Sequence, residues 1–186
     1  GFFQSLSHWR SSSLYVVSGV IVFIRIFALF SGLQALYVQF HESPKTATAL
    51  MRVVNTIAIV GASFFFSKYA GKLSDRQRFL YASLLVGLGF LVTPFFLSNL
   101  GIVLTTLIWS LGEALLYGCL TSLILSGFRS EDRGLAVGVK DSVIRVALIV
   151  SPLIASVGSD ISPELFALVY GVPPLLVAGL ILRKGL

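Results

Sequence analysis

Arg25, Glu113, Asp141 and Arg145 stand inside long apolar stretches, and charges so placed are rare enough to ask what chemistry they serve. A charge at the centre of a bilayer costs about 2.5–3.5 kcal/mol on insertion scales, so one that persists there faces a partner or a water-filled cavity. A carboxylate such as Glu113 can carry a proton or act as counter-ion, and guanidinium groups such as Arg25 and Arg145 favour an anionic group. Asp141 precedes Arg145 by one helical turn, the spacing that favours an ion pair, whereas Lys140 is placed on another face. Arg52 lies nearer a helix end, where its side chain can snorkel to the interface. The bland alternative for Arg25, Glu113 and Arg145 is a network of ion pairs that locks a helical bundle.

Six apolar segments must position these groups. The chain of 186 residues is 56% hydrophobic and only 12% charged, with a mean hydropathy of +0.92, well beyond the mix of a soluble domain of this size. A bilayer core of about 30 Å is crossed by about 20 helical residues. On that measure the spans cover residues 14–37, 47–66, 79–97, 100–126, 134–157 and 165–182, behind an amphipathic lead-in at 1–13 that carries Trp9 and Arg10. The predicted fold is therefore an all-α transmembrane six-helix bundle occupying residues 14–186.

Lys and Arg are retained on the cytoplasmic side of membranes. Arg10, Lys68, Lys72, Arg76, Arg78, Arg129, Arg133, Arg183 and Lys184 fall on one side and only Lys45 on the other, which predicts cytoplasmic termini. The net charge of +6 is thus read as orientation in the membrane, because the basic residues form no continuous face for nucleic acid. Spans one, two, four and five carry charges. Spans three and six carry none and are expected to face lipid or apolar neighbours. Gly134 and Gly138 form a Gly-x-x-x-Gly face suited to helix packing, and Pro94, Pro152 and Pro173-Pro174 are expected to kink their helices.

Other chemistries find little footing. His8 and His41 both lie outside the spans, so no intramembrane imidazole is available for haem, metal or a catalytic dyad. Cys119 is solitary and reads as packing. No glycine-rich phosphate loop precedes a helix. No enzyme activity, cofactor or metal is expected.

The loop Gly71-Lys72-Leu73-Ser74-Asp75-Arg76-Gln77-Arg78 resembles the Gly-x-Leu-Ser/Ala-Asp-Arg signature of the major facilitator superfamily, and it stands where that loop belongs, after the second span. The connection through Arg129, Glu131, Asp132, Arg133 and Gly134 looks like the family's charged loop before its fifth helix. Ser151-Pro152 is similar to its Gly-Pro. The tail after Arg76 is shortened to Gln77-Arg78, and Ser151 stands where glycine is usual.

The resemblance implies one six-helix half of a secondary transporter, with Gly71, Asp75, Arg76 and Arg78 forming a conformational latch. It also implies that the first and fourth helices line a cavity, that the second and fifth flank the partner unit, and that the third and sixth face outward. The degraded signatures and the absence of any methionine but Met51 favour a C-terminal half. The function expected is movement of a small, anionic solute by alternating access, with Arg25, Glu113, Asp141 and Arg145 on the substrate or proton path. The second six-helix unit is a missing half, a copy or a separate chain, and the setting a microbial plasma membrane. The alternative, from a different class, is a structural or assembly subunit of a larger membrane complex.

Overall fold

The computed structural model describes residues 2–69, 72–126, 133–157 and 162–183. Within them the chain is helical throughout, without a strand. Helix α1 runs Phe2–Phe40, α2 Pro44–Tyr69, α3 Asp75–Val92, α4 Asn99–Leu125 and α5 Arg133–Val157. The last, α6, covers Pro163–Arg183 and is built from Pro163–Phe166, a π turn at Ala167–Gly171 and Val172–Arg183. The lead-in expected at the N-terminus is therefore continuous with the first span. Five of these helices are long and apolar enough to cross a membrane, whereas α5 carries Lys140, Asp141 and Arg145 and falls outside that set.

Local chemistry fixes the helix ends. Ser74 caps α3 by accepting from the Gln77 amide at 3.2 Å, while the Gln77 side chain accepts from the Ser74 amide at 2.9 Å, a reciprocal capping box. Ser98 and Ser162 cap α4 and α6 by accepting from the Gly101 and Leu165 amides. At Pro94 the α-helical ladder gives way: α3 stops at Val92, and Thr93–Phe95 forms a single 3-10 turn at the end of the same apolar span. Pro173 and Pro174 offer no amide hydrogen to the carbonyls one turn earlier, and the π turn lies directly before them.

The packing centres on α3 and α4, which share the largest helix–helix contact, and α6 lies against α3. Glycines permit this closeness. A side chain at Gly112 would meet the Ala82 carbonyl at 2.8 Å, and one at Gly89 would meet Trp109 Cβ at 2.6 Å. Gly171 approaches the Leu91 amide in the same way, at 2.8 Å. Phe90, Trp109, Phe166 and Tyr170 fill the space around these seams, all fully buried. The uncharged third span is held among other helices, with 56% of its apolar window buried.

Helix α2 rests mainly on α4, and α5 mainly on α1. Only 22% of the α2 window is buried. The Gly134–Gly138 face, expected to pack, meets nothing within 4 Å among the described residues.

Candidate functional site

Glu113 lies near the middle of the 27-residue α4 and Asn55 near the middle of the 26-residue α2. Both are buried, at 5% and 7% exposure. Asn55 Nδ2 donates to Glu113 Oε2 at 3.0 Å and to Ser110 Oγ at 3.0 Å. Ser110 and Glu113 share a face because three residues separate them on α4, so a single amide clamps α2 to two acceptors on its neighbour. Both hydrogens of that amide are committed. Among the described residues no Lys or Arg forms an ion pair with Glu113.

An open cleft of about 450 Å³ lies on the α2–α3 loop side of this cluster. Ser63 and Phe66 of α2, Arg78 of α3, and Ala114, Tyr117 and Gly118 of α4 line it. Ala114 adjoins Glu113 in sequence, and Tyr117 stands one turn further along α4. The cleft therefore runs from the basic end of α3 to the residue beside the buried acid. The ring of Phe23, on α1, lies against that of Tyr117 at a centroid distance of 4.9 Å.

The other expected path residues do not converge on Glu113. Arg25 of α1 is half-buried, and its buried Nε has no hydrogen-bond partner among the described residues. Asp141 does not reach Arg145. Its carboxylate pairs instead with the adjacent Lys140 at 3.0 Å, so the expected turn-spaced ion pair is replaced by one between neighbours, and Arg145 is exposed. No family model, no curated protein and no solved structure matches the chain.

At the α2–α3 end, the structure describes most of the loop singled out in the sequence, whereas Gly71 lies outside the described residues, as do Arg129, Glu131 and Asp132. Asp75 sits at the start of α3 and accepts from Ser122 Oγ in the last turn of α4 while pairing with Arg78 at 3.1 Å. Arg76 Nε donates to the Tyr15 hydroxyl of α1 at 2.6 Å. The start of α3 is thus tied to α4 by one residue and to α1 by the next. An acid at the first turn also meets the positive end of the helix dipole.

Asn55 and Ser110 were missed by the sequence reading. The available signal was an amide alone in the middle of an apolar span, together with a serine one turn before the only acid of the fourth span. The described residues contain no group of three His, Cys, Asp or Glu side chains placed to hold a metal ion.

Proposed function

We propose that the chain is one six-helix unit of a secondary transporter of the major facilitator type, moving a small anionic solute by alternating access with a second six-helix unit. In this reading Glu113 carries the coupling proton and Asn55 holds it to α2. The unit sits in the plasma membrane of a microbial cell with cytoplasmic termini, and Asp75, Arg76 and Arg78 latch α3 to its neighbours in one conformation.

One observation carries this reading: an acid buried at mid-helix between α2 and α4, held by an amide and a hydroxyl group and by no cation among the described residues. A purely structural ion-pair network has no use for such a group, since a lone buried carboxylate is costly unless a proton or cation neutralises it. Polar groups converging near mid-helix, with a cleft that opens from one side beside them at Ala114 and Tyr117, suit alternating access.

A second reading, an assembly subunit of a larger membrane complex, draws support from α5. Asp141 and Arg145 are exposed there, and in a membrane such groups need cover from protein or water.

The test uses proteoliposomes enclosing a pH-sensitive dye, challenged with a panel of small carboxylates and phosphates. Wild-type protein is expected to move protons with at least one of them. Glu113→Gln is expected to abolish that movement while remaining folded and monodisperse. Undiminished proton movement in Glu113→Gln removes the acid from the mechanism, and native mass spectrometry that finds the chain among several unrelated subunits favours the assembly reading.

A further inference from the structure

A second cleft, of about 850 Å³, opens at the other end of the molecule, where α1 turns into α2. Its volume falls within the range of small-molecule sites, about 300–1,000 Å³. Gln34 and Val38 line it from α1, and Lys45, Thr46, Thr48 and Arg52 from α2. The groove exists because α1 and α2 touch only lightly, while each packs on a different neighbour, α5 and α4.

Its chemistry is one-sided. Lys45 and Arg52 are both cations, and no carboxylate lines the cleft. Neither forms an ion pair among the described residues. Glu42, in the adjoining turn, is exposed but does not line the groove, and the His41 ring is engaged by the turn itself, its Nδ1 accepting from the Ser43 amide at 2.9 Å. Lys45, Thr48 and Arg52 recur at three and four residues, which aligns them on one face of α2. Two turns separate Lys45 from Arg52, roughly 10 Å along the helix axis. Their long side chains can close that gap and converge on one anion between them.

Depth sharpens the argument. Arg52 lies roughly 12 Å along α2 from its first residue, on an exposed face. A guanidinium at that depth, repelled by a second cation on its own face, is relieved by a bound anion. Among anions, phosphate oxygens match its planar fork with two parallel hydrogen bonds, and Lys45 adds a point charge. Thr46, Thr48 and Gln34 supply neutral donors around it.

We propose that this cleft is a phosphate-recognition site, taking either the headgroup of an anionic phospholipid or a soluble phosphate. The site stands on its own residues and does not depend on the transport reading.

The experiment compares the full-length chain with a Lys45→Gln, Arg52→Gln double variant, and with Arg183→Gln as a control at a distant basic residue. Both cleft cations are exposed, so the double variant is expected to melt at the wild-type temperature. Inorganic phosphate is titrated calorimetrically into each protein in neutral detergent. In parallel, each is taken from nanodiscs of mixed phosphatidylglycerol and phosphatidylcholine and assayed for retained lipid by native mass spectrometry. Binding of inorganic phosphate that weakens at least ten-fold in the double variant, and not in the control, assigns a soluble ligand. Retention of phosphatidylglycerol that is lost only in the double variant assigns the lipid headgroup. Absence of both, or equal binding by wild type and double variant, overturns the proposal.

Discussion

The inner helices α3, α4 and α6 and the flanking helices α2 and α5 use the same residue types to opposite ends. On the inner seams, Gly89, Gly112 and Gly171 each bring backbones so close that a methyl group would overlap a neighbour. On α5, Gly134 and Gly138 face open space, as do Gly61 on α2 and, away from the seams of the inner helices, Gly118 on α4 and Gly179 on α6. Polar groups divide likewise. Glu113 is buried against Asn55, where α2 meets the inner group, whereas Arg52, Asp141 and Arg145 are exposed on the flanking pair. A glycine in a membrane helix is thus no statement about packing until its face is known. The flanking helices hold surface that remains open for a further protein surface or for water.

The sharpest way to break this comparison is to load the inner seam. Gly112→Leu drives a side chain into the backbone of α3 and is expected to destabilise the chain by at least the 1–3 kcal/mol typical of overpacking, read as a lower melting temperature in detergent. A melting temperature equal to wild type means that the seam is looser than described. Next in size is Asn55→Leu, which removes the donor to both Glu113 and Ser110. Leaving those acceptors buried costs about 1–3 kcal/mol, and Asn55→Asp is not expected to rescue the loss, because a second carboxylate would face the first.

A smaller effect belongs to the end of the inner group. Ser122→Ala takes one partner from Asp75 but leaves Arg78 in place, so a loss of about 0.5–1.5 kcal/mol is expected in thermal or chemical melting. Smallest of all is Gly138→Ala on α5, expected to change stability by less than about 0.5 kcal/mol because nothing stands where the methyl group goes. A large loss there shows that the α5 face is covered in the sample measured, and cross-linking through cysteines placed on α5 then identifies what covers it.

The helices themselves were legible in the sequence. Apolar runs of about 20 residues separated by Gly, Ser, Pro and charge leave few alternatives, although the serines that cap α3, α4 and α6 were not singled out as caps. Helix placement was only partly so. An uncharged span was expected to face lipid or apolar neighbours, and α3 takes the second of these, flanked by α4 and α6; absence of charge, shared by lipid-facing and helix-facing surfaces alike, could not choose between them. The Gly-x-x-x-Gly pattern on α5 pointed to packing, yet the closest approaches are made by single glycines with no repeat.

The candidate site shows the same limit. Glu113 stood out as the only acid in its span, since a charge in an apolar run is conspicuous. Asn55 did not, because a neutral amide perturbs hydropathy little and its meaning lies in what a different helix places opposite it. Asp141 and Arg145 were matched by spacing along one helix, and Lys140 took the carboxylate because adjacent side chains at a helix surface can bend toward each other.

The central claim is that Glu113 is a working group reached by water, not a buried defect between two helices. Labelling tests it most directly. Ala114, which adjoins Glu113 and lines the cleft, is replaced by cysteine in a Cys119→Ala background, and the full-length protein in membranes is treated with a membrane-impermeant thiol reagent. Modification from the side of the α2–α3 loop, slowed when Arg78 or Ser63 at the cleft is replaced by tryptophan, is the predicted result. A cysteine that stays unreactive from both sides, while an exposed control such as Lys45→Cys is fully labelled, would contradict it and leave Asn55 and Glu113 as a static contact between α2 and α4.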